Sequence, residues 1–132
     1  MTTFLLDANA LIAASVVEHE HHVRANTWLA EITSFAVSPI PEGALIRFLL
    51  RMGESAQTAH ALVTTIGADP RAEFWADDVS FREVPLDGVR GHRQVTDAYL
   101  AALAQRHGGL LATFDEGLAE LRPRSTFLIP PV

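Results

Sequence analysis

Short hydrophobic runs alternate with longer amphipathic stretches along most of the chain. The runs at 4–6, 35–38 and 109–114 predict buried strands, and 81–84 and 126–129 predict a weak strand and an edge strand. Apolar residues at helical spacing predict helices over 9–17, 20–32, 41–52, 55–66 and 95–107, with a shorter one over 69–75. This alternation is typical of a three-layer α/β/α fold with a central, mainly parallel sheet of four to five strands.

Composition narrows the class of protein. The chain has 132 residues, of which 48% are hydrophobic, so we expect a single domain over residues 1–132 with a substantial core. No apolar run approaches the roughly 18 residues that cross a bilayer, and Met1-Thr2-Thr3 lacks the basic region of a secretory signal. The absence of cysteine excludes disulfides, thiolate metal sites and a cysteine nucleophile. We therefore expect a cytoplasmic protein with no membrane partner.

Four acidic residues stand where predicted elements meet. Asp7 and Asp115 directly follow strands, whereas Glu42 and Asp97 fall in the first turns of predicted helices. Each acid alone is explained as a helix cap. In a parallel α/β sheet, however, such junctions share one edge and converge at the switch point of the strand order.

If these acids lie close together, their negative charges must be neutralised. Two carboxylates about 4 Å apart repel by roughly 4 kcal/mol at an effective dielectric constant near 20, so the cluster needs a cation or bound protons. Oxygen ligands favour Mg²⁺ or Mn²⁺ over zinc. The sequence therefore indicates a divalent metal pocket.

Four segments of the chain resemble the conserved blocks of PIN domains, and more narrowly those of VapC-type toxins of bacterial type II toxin–antitoxin systems. They are Phe4-Leu5-Leu6-Asp7-Ala8-Asn9, Pro41-Glu42-Gly43, Val95-Thr96-Asp97-Ala98-Tyr99-Leu100 and Ala112-Thr113-Phe114-Asp115. The resemblance covers essentially the whole chain. It implies a Mg²⁺- or Mn²⁺-dependent endoribonuclease that is blocked by a cognate VapB-like antitoxin, and it implies a homodimer.

The resemblance also assigns site residues. It implies a catalytic set of Asp7, Glu42, Asp97 and Asp115, in which Asp7, Asp97 and Asp115 bind the metal. Asn9 and Thr113 match supporting positions of the family. The role of Glu116, which follows Asp115, is left open.

RNA binding has to come from local basic charge, because the net charge of -6 disfavours a nucleic-acid partner. If four of the sixteen acids lie in one metal pocket, the remaining surface is only mildly acidic. The residues predicted to contact RNA are those near the acids in sequence: Arg47, Arg90, Arg93 and His92. Ordinary solvated surface charge is the competing interpretation for each.

Three further features bear on function. The spacing of His19, His21 and His22 does not suit a tetrahedral zinc site and predicts a solvated turn. The apolar helices at 9–17 and 20–32 are the expected antitoxin surface. There Trp28 is expected in the core rather than as an exposed anchor.

Two other functions remain open. One is phosphotransfer through an aspartyl phosphate, but enzymes of that kind typically hold the phosphoryl group with a lysine, and all ten basic residues are Arg. The other is a degenerate PIN domain that binds its target without catalysis.

Overall fold

The computed structural model describes all 132 residues and contains one five-stranded sheet. All strands are parallel and lie in the order β3-β2-β1-β4-β5, which confirms the predicted α/β architecture. The strands are β1 Phe4–Leu6, β2 Phe35–Val37, β3 Ala72–Phe74, β4 Leu110–Thr113 and β5 Thr126–Leu128. The helices are α1 Ala8–Ser15, α2 His22–Leu29, α3 Pro39–Arg51, α4 Ala56–Gly67, α5 Arg93–Arg106 and α6 Glu116–Leu121.

Alternating side chains give the sheet two buried faces. On one face, Leu5, Ala36 and Leu111 pack against the apolar residues of α5. On the other face, the strands pack against α1 to α4. Trp28 is buried in this second core and meets Phe4 edge to face at 5.2 Å, so its predicted core position is confirmed. None of the helices is both long and apolar enough to cross a membrane.

The predicted helix over 69–75 is wrong, because this segment forms edge strand β3. The Asp69 carboxylate accepts hydrogen bonds from the Arg71 amide at 2.9 Å and its Nε at 3.2 Å, which closes a turn before the strand. The next residues then pair in parallel with β2, with Glu73 opposite Ala36. Backbone pairing with a partner distant in sequence outweighs the local preference for a helix.

The predicted strand over 81–84 is also wrong, because the segment is a 3₁₀ turn over Phe81–Glu83. The Ser80 hydroxyl accepts from the Arg82 amide at 3.1 Å, and the Glu83 carboxylate accepts from the Ser80 amide at 3.2 Å. This reciprocal pair is a capping box, whose Ser-x-x-Glu spacing is a helix-start signal.

Two smaller differences concern helix ends. α5 begins at Arg93 and therefore carries Asp97 beyond its first turn, so the predicted first-turn position is wrong for that acid. Met52, predicted as the last residue of its helix, lies past the end of α3 and is 56% exposed.

The strand order reverses between β1 and β4, which are neighbours in the sheet although α1 to α4 separate them along the chain. The register pairs Leu5 with both Ala36 and Leu111. Two residues further on, Asp7, Ser38 and Thr113 therefore form a row on the face that carries α5. This polar row at the switch point positions the site.

Candidate active site

Asp7 is a buried acid at the end of the central strand. Its Oδ1 accepts a hydrogen bond from the Ala10 amide at 2.7 Å and caps α1, and the residue is only 6% exposed. Burial raises the pKa of Asp7 to about 6. The hydrogen bonds from Ala10 and Thr113 oppose this rise, and the charges of Asp97 and Asp115 add to it. A buried acid with a strongly raised pKa is a candidate for function.

Asp115 occupies the equivalent junction after β4. Its Oδ1 accepts from the Leu118 amide at 3.0 Å and caps α6, while its own amide donates to the buried Thr113 hydroxyl at 3.0 Å. Both strand-end aspartates are therefore helix caps, as predicted for each acid considered alone. The cap uses one carboxylate oxygen of Asp115, and its Oδ2 makes no hydrogen bond within the protein.

Asp97 reaches the same place from α5. It is half-buried, and its pKa is raised by burial and by the charge of Asp115. Asp7, Asp97 and Asp115 line one cavity of about 210 Å³ together with Ala8, Asn9, Thr96, Leu100 and Thr113. None of the three aspartates forms an ion pair, since the ion pairs of the protein involve other residues.

Glu42 does not line this cavity. Burial raises its pKa, and the charge of Asp77, which follows β3, adds to the rise. The strand order explains the separation, because α3 follows β2, which lies on the opposite side of β1 from β4. The structure thus brings three of the four predicted acids together and leaves Glu42 on the β2 side.

The side chains around the cavity offer the types of ligand atom that a hard cation prefers. Three carboxylates and the hydroxyls of Thr96 and Thr113 offer oxygen ligands, as Mg²⁺ prefers. No three acidic side chains are close enough to hold an ion directly as they stand. An ion seated here therefore requires side-chain rotation or bridging water, and Mg²⁺ usually keeps several of its waters.

A second cavity, of about 230 Å³, adjoins the first and shares Asp97 and Asp115 with it. Of the residues predicted to bind RNA, Arg90 lines this cavity, whereas Arg47, His92 and Arg93 are exposed and line neither cavity. Sequence reasoning missed Arg122, which also lines it.

Arg122 also holds the loop beside this second cavity. Its guanidinium donates to the Pro85 carbonyl at 3.0 Å and to the Asp87 carbonyl at 2.8 Å. No sequence signal marked Arg122, because its carbonyl partners lie more than thirty residues earlier in the chain.

The histidine turn is not the solvated turn that the sequence predicted. His21 stacks on Phe114 with ring centroids 4.7 Å apart, and the His22 Nδ1 lies 2.8 Å from the Ala13 carbonyl oxygen. The His19 Nε2 lies 3.1 Å from the Asn9 Oδ1. All three histidines are partly buried, and His19 contacts Asn9, which lines the acidic cavity.

Comparison with known proteins agrees with this fold. The sequence profile of the PIN domain matches residues 4–122. Ribonuclease VapC29 of Mycobacterium tuberculosis is 54% identical over 129 residues, which cover 97% of each chain.

Two solved structures share the fold at low sequence identity. The Sarcin-Ricin loop cleaving toxin VapC20 of Mycobacterium tuberculosis superposes with a TM-score of 0.70 at 14% identity, covering 96% of this chain and 99% of that one. VapBC2 from Rickettsia felis, bound to a DNA fragment from its promoter, superposes with a TM-score of 0.66 at 15% identity, covering 96% and 97%.

The fold is thus that of a PIN domain. With its high identity to a named ribonuclease over nearly the whole length, the chain belongs to the PIN-domain family as a VapC-type ribonuclease.

Proposed function

We propose that the protein is the toxin of a VapBC-type toxin–antitoxin module and hydrolyses RNA phosphodiester bonds at the acidic cavity with the help of Mg²⁺, for which Mn²⁺ can substitute. The main support is the set of three aspartates that line one cavity without a neutralising cationic side chain. Such a set favours either bound protons or a bound cation. Family membership favours the cation.

The site residues then have distinct roles. Asp7, Asp97 and Asp115 would hold the cation, which would polarise the phosphate and lower the pKa of bound water. The Ala10 amide and the Thr113 hydroxyl hold Asp7 in a fixed direction. Asn9 and Thr113 would support the site, and Glu42 would complete the catalytic set from the β2 side, directly or through water.

Basic residues would hold the RNA around this acidic centre. Arg90 is best placed, because it lines the cavity that shares Asp97 and Asp115 with the catalytic one. Arg47, Arg93 and His92 are exposed and would contact phosphates further along the strand. Together they offset the negative charge of the site during RNA association.

A VapB-like antitoxin is the proposed partner, acting with the toxin in the cytoplasm. The helix pair α1 and α2 is the expected contact surface, and exposed Val17 and Val23 lie in or beside it. Trp28 is excluded as an anchor because it is buried in the core. A homodimer of the toxin is a further expectation from the family.

A cleavage assay separates this function from that of a degenerate binding module. Purified protein is incubated with structured RNA in EDTA, in Mg²⁺ and in Mn²⁺, alongside Asp97→Asn and the matched control Glu31→Gln, whose exposed side chain lies outside both cavities. We expect metal-dependent cleavage by the wild type and the control, and none by Asp97→Asn. RNA binding without cleavage by the folded wild type would instead indicate the binding module.

A further inference from the structure

The hydrogen bonds of His19 define its proton positions. Its Nδ1 lies 3.0 Å from the His21 backbone amide, which is a donor only, so Nδ1 must accept. A neutral imidazole then carries its proton on Nε2. A ring nitrogen that accepts a hydrogen bond carries no proton, so the contact with the His21 amide itself requires the neutral imidazole.

This proton position also orients Asn9. The His19 Nε2–H faces the Asn9 side-chain amide at 3.1 Å, so it requires an acceptor there, and only Oδ1 accepts. The reversed amide would set two N–H groups against each other. The Asn9 Nδ2 is thereby turned away from His19, and it makes no hydrogen bond within the protein.

Asn9 lines the cavity that contains the three aspartates. Its amide is the only nitrogen donor among the side chains that surround this cavity. A phosphodiester that enters the cavity brings non-bridging oxygens, which need hydrogen-bond donors in a site where carboxylates predominate.

We infer that His19 is a positioning residue that holds the Asn9 amide so that its N–H donates to a non-bridging oxygen of the scissile phosphate. This inference rests on the proposed ribonuclease function of the same cavity. The hydrogen bond between His19 and Asn9 is solvent-exposed, so it contributes little to stability. Its value lies in preventing amide rotation, because a freely rotating Asn9 presents Oδ1 to the phosphate part of the time.

A double-mutant cycle tests the inference. Cleavage rates are measured for wild type, His19→Phe, Asn9→Ala and the double variant, with thermal unfolding to verify that each is folded. A hydrogen bond to a charged group supports an expected loss of about tenfold for Asn9→Ala. His19→Phe leaves the amide free to rotate between two orientations, of which one is competent, so its rate should fall by about twofold. Because His19 acts through Asn9, the double variant should lose no more than Asn9→Ala alone.

Rescue provides the readout that a purely structural role would not change. The side-chain amide of His19→Gln can donate to the Asn9 Oδ1 as the imidazole Nε2 does, so this variant should recover most of the rate. The matched substitutions His60→Phe and His60→Gln, on the exposed surface of α4, should leave the rate unchanged.

Multiplicative losses in the double variant, or a rate for His19→Gln as low as that for His19→Phe, would overturn the inference. Absence of RNA cleavage by the wild type would instead refute the proposed function.

Discussion

Replacement of Asp7 by Asn should stabilise the metal-free protein while abolishing cleavage. Asn is an equally good helix cap, so its side-chain oxygen can still accept from the Ala10 amide, and the substitution removes only the charge. Burial raises the pKa of Asp7 from an ordinary value of 3.8 to about 6. Each pKa unit corresponds to about 1.4 kcal/mol, so the ionised carboxylate destabilises the fold by about 3 kcal/mol.

The effect depends on pH in a defined direction. Between pH 4 and pH 6 the folded protein keeps a proton on Asp7 that the unfolded chain has lost, so wild-type stability falls as the pH rises through this window. The Asp7→Asn variant has no carboxyl group at this position, so its stability does not fall for this reason as the pH rises. The variant should therefore match the wild type near pH 4 and exceed it by about 3 kcal/mol at pH 8.

Urea unfolding in EDTA at pH 4, 6 and 8 measures this difference, with exposed Glu31→Gln as the matched loss of one carboxylate. Adding Mg²⁺ at pH 8 should stabilise the wild type and leave Asp7→Asn unchanged, since only a site that binds the ion gains from it. A variant that is less stable than the wild type at pH 8 in EDTA would refute the assignment of a destabilising buried charge.

Three further experiments test RNA binding, a buried hydroxyl and a close backbone approach. Reversing Arg90 and Arg93 to Glu should weaken RNA binding at least tenfold and flatten its dependence on salt in a titration, and equal affinity at low salt would exclude a contact there. Ser38→Ala removes a fully buried hydroxyl without a partner and should raise the free energy of unfolding by about 1 kcal/mol, so a loss of stability would reveal a missing partner. Gly109→Ala would place its Cβ 2.3 Å from the Thr3 carbonyl oxygen, and it should lower the melting temperature by several degrees, in contrast to Gly67→Ala, which meets no atom within 4 Å.

The strand-end aspartates were predictable because each strand that carries one is encoded locally. Phe4–Leu6 and Leu110–Thr113 are uninterrupted apolar or β-branched runs, and an acid follows each within two residues. Their cap roles follow from the strand-to-helix junctions, and parallel connectivity places both at the same edge of the sheet, where the adjacency of β1 and β4 brings them together. β3 was not predictable in this way, because a three-residue edge strand with exposed Glu73 and Phe74 depends on pairing with β2.

The position of Glu42 and the orientation of Asn9 depend on information that local patterns lack. Glu42 lies away from the other acids because β2 is placed on the far side of β1 from β4, and strand order is not visible in hydrophobic spacing. His19 lies in the turn between α1 and α2, and it contacts Asn9 of α1. Which ring nitrogen of His19 donates and which accepts depends on its hydrogen-bond partners in the folded protein.

Cation binding by the three aspartates is most directly measured by titrating metal-free protein with Mn²⁺ and following free Mn²⁺ by electron paramagnetic resonance. The wild type and Glu31→Gln should bind the ion alike, whereas Asp97→Asn and Asp115→Asn should each bind at least tenfold more weakly, and Mg²⁺ should displace Mn²⁺ from the wild type. Equal Mn²⁺ affinity in all four proteins would contradict a metal site built from Asp7, Asp97 and Asp115.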